Sequence, residues 1–273
     1  MLRQKRVALI NDVTGFGRCS IASMLPIVST MKILGVLVPT AILSADTYIP
    51  NYYFDDYTKH LPSYIQTYKE LGLTFDGICT GFLGSKKQVE IIKDFIHFFV
   101  SKNTFVLVDP VMGDHGKLYP IYTEDMKIAM KELVSLSNII TPNLTELCAL
   151  LNLPYPMTVP LEHQLENMCK ELSKMGPTKI VVTGLERGHY IENFIYQKGE
   201  PSRQVFVRKI GGDRSGTGDV FTAVLAGSYT NGYSFYNSVK KAVSFTDKCI
   251  RYSETLQTPF NYGLCFEEFL TEL

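Results

Sequence analysis

Apolar positions along the chain follow two rhythms. The first is the short continuous run. "RVALIN" (Arg6–Asn11), "GVLVPTAIL" (Gly35–Leu43), "DGICTGF" (Asp76–Phe82) and "TFVLVDP" (Thr104–Pro110) have this form. Such runs predict strands buried on both faces. "SNIITPN" (Ser137–Asn143), "TKIVVTG" (Thr178–Gly184) and "RQVFVRKI" (Arg203–Ile210) predict three more. The second rhythm is helical. It predicts helices over Ser20–Met31, Lys86–Val100 and Thr123–Leu136, then within Ser234–Ser253 and over Cys265–Leu273. Thr123-Glu124-Asp125 offers an N-cap and an acidic first turn. Strands alternating with helices predict an α/β fold, a mostly parallel sheet with helices on both faces.

Open sheets of this kind bind ligands beyond the carboxyl ends of their strands. The polar residues just past each predicted strand are therefore the candidates. They are Asn11 and Asp12, then Ser44, Asp46 and Thr47, then Asp109 and Asp114, then Thr141 and Glu146, then Thr183. A glycine-rich segment joins them, "KIGGDRSGTGDVFTAVLAGSY" (Lys209–Tyr229). Its Gly216, Thr217 and Gly218 precede a run of helix formers. N–H groups at a helix start attract anions, and glycines let an anion come close. This predicts an anion hole for a phosphoryl group, with Asp219 placed to take a proton from an acceptor hydroxyl. A plain glycine turn with a first-turn carboxylate is the competing reading. Neither GxxxxGK[ST] nor a complete GxGxxG is present.

"DPVMGDHG" (Asp109–Gly116) and "TPNLTEL" (Thr141–Leu147) add carboxylates on the same predicted edge. Asp109, Asp114 and Glu146 suit Mg²⁺, which takes oxygen ligands and keeps several waters. Glu146 equally suits a helix first turn.

Composition changes this picture little. Lys plus Arg and Asp plus Glu both number 27, so net charge argues for neither nucleic acid nor membrane as partner. The apolar stretch over Ile33–Leu43 is too short to cross a bilayer and contains Gly35 and Pro39. Near the start, Val7–Ile10 is too short for a signal peptide core, so a cytoplasmic protein is expected. The six cysteines form no CxxC pair, which points to reduced thiols. The histidines are scattered, and only His115 falls in a candidate loop. Tyr48–Tyr57, "YIPNYYFDDY", offers rings for a ligand, a lid edge or an interface.

Together the motifs resemble the ribokinase superfamily, in its vitamin kinase branch of pyridoxal and hydroxymethylpyrimidine kinases. "INDVTGFGRCSIAS", "PTAILSADTY", "GFLGS", "DPVMGDHGKLYP", "IITPNLTEL", "IVVTG" and "SGTGDVFTAVLAG" carry the resemblance over nearly the whole chain. It implies one ribokinase-like three-layer kinase domain over 1–273, ATP as donor, Mg²⁺, a monovalent cation such as K⁺, and a homodimer. It makes Asp219 the catalytic base and Gly216–Gly218 the anion hole. It puts Asp109, Asp114, Tyr119, Thr141, Glu146 and Thr183 on the ATP side, with Asp109 and Glu146 at the metal. Asn11 and Thr47 fall on the vitamin side, Asn11 where pyridoxal kinases carry serine. Ala45-Asp46 departs from Asn-His of pyridoxal kinases and Gln-Asn of the pyrimidine kinases. Asp46 is either a partner for a cationic amine or a solvated loop carboxylate. The implied reaction is ATP-dependent phosphorylation of the 5′-hydroxymethyl group of a B6 vitamer. Hydroxymethylpyrimidine phosphorylation and a non-catalytic vitamin-binding role are the alternatives.

Overall fold

A computed structural model describes residues 3–273. Its strands are β1 (Arg6–Phe16), β2 (Leu34–Ala45), β3 (Phe54–Asp56), β4 (Gly77–Thr80), β5 (Phe105–Val108), β6 (Gly113–Asp114), β7 (Lys117–Leu118), β8 (Ile139–Ile140), β9 (Lys179–Arg187), β10 (Tyr190–Gln197) and β11 (Arg203–Arg208). Its helices are α1 (Ser20–Thr30), α2 (Leu61–Glu70), α3 (Lys86–Phe99), α4 (Glu124–Ser135), α5 (Leu144–Leu151), α6 (Glu162–Ser173), α7 (Thr217–Thr230) and α8 (Phe235–Thr255). One nine-stranded sheet runs β11-β10-β9-β8-β5-β4-β1-β2-β3, and β6-β7 is a separate hairpin. The pairings from β2 through β9 are parallel. The edges, β2–β3 and β9–β10–β11, are antiparallel.

The continuous apolar runs divide between two helical layers. In β1, Ala8 and Ile10 face the layer of α2 to α6, while Val7 and Leu9 face α1, α7 and α8. In β5, Val106 and Val108 face the first layer and Leu107 the second. This strand period of two explains why the core runs carry no polar alternation. No helix among the described residues is long and apolar enough to cross a membrane. The six cysteines are free and buried.

The structure differs from the sequence reading at the periphery. The helix expected over Cys265–Leu273 is a short 3₁₀ segment, Glu267–Glu272. Leu264 and Phe266 anchor in the second core layer, leaving too few residues for stable α-helix. Several elements were not foreseen. Helix α2 buries only Leu61 and Ile65, and α6 buries a narrow stripe in a polar sequence. Strand β10 carries Glu192 and Asn193 in its middle; buried Glu192 pairs with Arg187 at 2.7 Å.

One irregularity lies where the site forms. Pro39 has no N–H for the β1–β2 ladder. Asn11 faces Pro39, yet Val13 faces Ile42, so β2 carries one extra residue there. Opposite that bulge, Asn11 and Asp12 are both buried. Bulges re-aim side chains in this way beside functional sites.

Candidate active site

A cleft of about 1470 Å³ opens beyond the carboxyl ends of β1, β2, β5, β8 and β9. Asn11, Asp46, Thr47, Asp109, Asp114, Tyr119, Thr141, Glu146, Thr183 and the segment Gly216–Asp219 all line it. Parallel strands pointing one way bring these residues, distant in sequence, to a single edge.

The glycine turn forms one wall. Gly216 caps α7 with φ 73°, and a Cβ there would lie 1.9 Å from the Arg18 carbonyl oxygen. Only glycine permits both the left-handed backbone and this close approach. Gly218 differs: an added Cβ would meet only an Asp109 oxygen, at 3.6 Å, and its φ is ordinary. Its missing side chain leaves cleft space open without relieving backbone strain. The Thr217 hydroxyl donates to the Arg214 carbonyl at 2.7 Å, tightening the turn. The Arg214 guanidinium is committed to Glu254 and the Thr258 carbonyl. The first N–H groups of α7 have no carbonyl partner within the helix.

Asp219 follows in the first turn of α7. One carboxylate oxygen accepts from Asn11 Nδ2 at 2.9 Å and the other from the Ser20 N–H at 2.8 Å. Ser20 adopts φ 54°, unusual for a non-glycine residue. That conformation turns its N–H to Asp219 while its hydroxyl donates to Asp12 at 2.7 Å. Burial, with Asp12 and Asp46 nearby, pushes Asp219 up to about 7. Burial also raises Asp12, against lowering hydrogen bonds from Thr14 and Ser20. Cys19 lies among these carboxylates, and burial holds its thiol protonated.

Asp46 is 4% exposed, so it is not a solvated loop carboxylate. It accepts from the Ser215 hydroxyl and from the Tyr48 N–H, the latter at 2.8 Å. It therefore straps the end of β2 to the glycine turn. Thr47 beside it is exposed. Within the tyrosine segment, Tyr48 packs edge-on to Phe260, and Tyr52 and Phe54 line the cleft.

Asp109 lies beside the glycine turn, with Glu146 next to it. Burial and the Asp219 charge push Asp109 up to about 7, and Thr222 donates to it at 3.2 Å. Glu146 is buried, and burial with Asp109 raises its carboxyl well above the usual range. Its Oε2 accepts from the Asn143 N–H at 2.8 Å, and Asn143 Oδ1 accepts from the Glu146 N–H at 2.9 Å. This is a full capping box. Its other oxygen accepts from the Met112 N–H at 3.0 Å, which binds the loop after β5 to α5. The helix first-turn reading of Glu146 is therefore met by this capping box. The Thr141 hydroxyl is buried without a hydrogen-bond partner.

Further out, Asp114 is exposed on the β6–β7 hairpin, and Tyr119 is 39% exposed. Thr183 is half-buried; its N–H donates to the Pro142 carbonyl at 3.0 Å. His115 pairs with Asp213 at 2.7 Å across the cleft mouth, and that bond, with Asp114 nearby, raises the imidazole pKa.

Among the described residues, no Lys or Arg neutralises Asp109 or Glu146. Among the described residues, no three His, Cys, Asp or Glu side chains converge as a metal cage. A divalent ion here would draw most of its ligands from phosphate oxygens and water, the usual habit of Mg²⁺.

Sequence reasoning singled out neither Ser20, Ser215, Thr222 nor Asn143 as a site residue. Asn143 had a signal, since N-x-x-E is a capping-box pattern. The other three act through contacts made only when distant strands and helices meet.

Residues 22–262 match the phosphomethylpyrimidine kinase family. The chain belongs to that family. The chain is 32% identical over 168 residues to a pyridoxal kinase of Arabidopsis thaliana, covering 59% of this chain and 52% of the relative. It spans about half the length of the curated relatives it matches, or less. A Bacteroides thetaiotaomicron protein assigned to the phosphomethylpyrimidine kinases superposes with TM-score 0.96 at 33% identity, over 99% of this chain and 94% of the other. A second crystal form of that protein was obtained with pyridoxal. The pyridoxal kinase of Lactobacillus plantarum superposes with TM-score 0.91 at 25% identity, over 99% and 96% of the two chains.

Proposed function

We propose that the protein transfers the γ-phosphoryl group of ATP to the 5′-hydroxymethyl oxygen of a B6 vitamer. One observation carries this reading: a carboxylate with its pKa near neutrality, Asp219, is fixed at the foot of a glycine turn and helix N-terminus in the cleft. Its ionised form accepts the hydroxyl proton as the oxygen attacks phosphorus. The N–H groups opening α7 meet the charge of the transferring phosphoryl, and ADP leaves. A base with pKa near working pH suits this task. Mg²⁺ bound with ATP would supply the positive charge that Asp109 and Glu146 lack. Thr141 and Thr183 lie on the nucleotide side, Thr47 on the vitamin side. The site draws on residues from Asn11 in β1 to Asp219 in α7, which supports a single catalytic unit.

The relatives favour B6 vitamers, through the Arabidopsis pyridoxal kinase and the pyridoxal-bound Bacteroides crystal form. The family match favours a second reading, phosphorylation of hydroxymethylpyrimidine or its phosphate. Exposed Ile42, Tyr53 and Phe54 at the β2–β3 edge support a homodimer, which light scattering would test. The test of function is Mg-ATP consumption with pyridoxal, pyridoxamine, pyridoxine and hydroxymethylpyrimidine, each product identified by mass. Vitamer-dependent turnover, with kcat/KM highest for a B6 vitamer, is expected. Highest kcat/KM for hydroxymethylpyrimidine would give the second reading its place, and no turnover of any would leave a binding protein.

A further inference from the structure

We propose that Asn11 is a positioning residue that aims the Asp219 carboxylate, and that it makes no contact with the acceptor ring. This rests on the phosphotransferase reading of the cleft.

The hydrogen-bonding capacity of Asn11 is fully used within the protein. An asparagine amide has one oxygen with two lone pairs and one nitrogen with two hydrogens. Asn11 Oδ1 accepts from the Phe82 N–H at 2.8 Å and from the Asp12 N–H at 3.0 Å. Two backbone donors on one atom identify that atom as the oxygen, so the NH₂ group must point the other way. There it donates to Asp219 at 2.9 Å and lies 3.6 Å from the Met24 sulfur. Nothing is left over for a ligand, and the residue is 1% exposed.

The surroundings hold this orientation. Gly81 has no side chain, and a Cβ there would lie 2.5 Å from Asn11 Nδ2. The bulge of β2 opposite Asp12 lets Asn11 and Asp12 both turn inward. Ser20 holds the second oxygen of Asp219 from the other side. The carboxylate is thus gripped at both oxygens by groups that are themselves fixed, which sets the direction in which its remaining lone pairs face the cleft.

The test is a donor–acceptor exchange. Asn11→Asp keeps the shape and the acceptor for Phe82 and Asp12, and replaces only the donor that faces Asp219. Assayed from about pH 7 to 10, over which the proton shared by two carboxylates this close is titrated away, its kcat should fall to about 10–100-fold below wild type at the top of the range. KM for pyridoxal and ATP should move less than about 3-fold. Asn11→Asp combined with Asp219→Asn restores one hydrogen bond with its polarity reversed. The pair should recover the thermal stability lost by Asn11→Asp, and its kcat should be no lower than that of Asp219→Asn alone. Unchanged kcat in Asn11→Asp would overturn the proposal, as would a large rise in pyridoxal KM at unchanged kcat. So would kcat losses that multiply in the double variant. If Asn11→Asp fails to fold, the double variant must fold; if it also fails, the proposal is wrong. The thermal comparison needs no turnover. A chain that phosphorylates no vitamer, yet shows this thermal recovery, would sink the proposed function and keep the Asn11–Asp219 pairing.

Discussion

At the Asp219 end of the cleft, the polar side chains are tied to other parts of the chain. Asn11, Asp12, Ser20, Asp46 and Asp219 hold one another through bonds that join β1, β2, α1 and α7. At the Asp114 end, the side chains reach into solvent, and His115–Asp213 is the bond that crosses the mouth, with side chains 65% and 77% exposed. A group that must meet a proton at one position gains from a rigid cradle. A nucleotide that enters and leaves on every turnover gains from walls that yield. Under the proposed function, chemistry belongs at the rigid end and exchange at the exposed end.

The sharpest way to break this comparison is to strain the rigid end. Gly216→Val puts a β-branched side chain on left-handed backbone and against the Arg18 carbonyl. It should cut kcat by about 100-fold or more through misplacement of the turn. It should also lower Tm by about 5 °C or more. Gly218→Val, with open space and ordinary φ, should keep its Tm and lose turnover by filling the phosphoryl position. Equal Tm losses in the two would contradict the distinction.

Glu146→Gln sits between the two ends. The amide can keep the capping-box shape, but the charge is gone. The KM for Mg-ATP should rise about 10-fold or more while vitamer affinity stays unchanged. Unchanged Mg²⁺ and ATP dependence would leave Glu146 a capping residue alone.

A smaller effect concerns stability without ligands. Asp219 titrates at about 7 in the fold against an ordinary 3.8. A raised carboxylate contributes stability below its ordinary pKa that is lost as pH rises through the folded value. Wild type should therefore lose stability between about pH 4 and 7. Asp219→Asn carries no charge, so its Tm should fall by less than that of wild type between about pH 4 and pH 8, whatever the cost of setting its NH₂ against one fixed donor. Equal falls in the two would mean that Asp219 does not titrate in this range. The smallest effect belongs to the mouth. Asp213→Asn should shift Tm by less than about 1 °C, as exposed pairs do. What His115 contributes is present below its ordinary 6.5 and lost as pH rises through its raised value.

The sequence displays the rigid parts of the fold well. "RVALIN" and "TFVLVDP" show buried parallel strands because both faces are covered, and the order of polar strand ends points to one edge. Helices with sparse apolar stripes, such as α2 and α6, are hidden, and so is β10 with its buried Glu192. Site membership follows from topology, so candidates such as Thr141 and Asp46 could be named from strand ends alone. Their partners could not. Asn11 and Asp219 are 208 residues apart, and Asp46 and Ser215 are 169. The left-handed turn at Ser20 has no local signature; it arises because two carboxylates converge on one residue. Burial of Asp46, which a loop reading misses, follows from the same convergence.

The most direct measurement is steady-state turnover of Asp219→Asn with Mg-ATP and pyridoxal, with circular dichroism and vitamer binding measured on the same preparation. The amide has nearly the shape of the carboxylate but cannot take the hydroxyl proton. A folded variant that binds pyridoxal and ATP normally, with kcat lowered about 10²–10⁴-fold and KM little changed, is the predicted result. Near-normal kcat in that folded protein would contradict Asp219 as the base, and would leave the glycines a turn and the aspartate a helix-start residue.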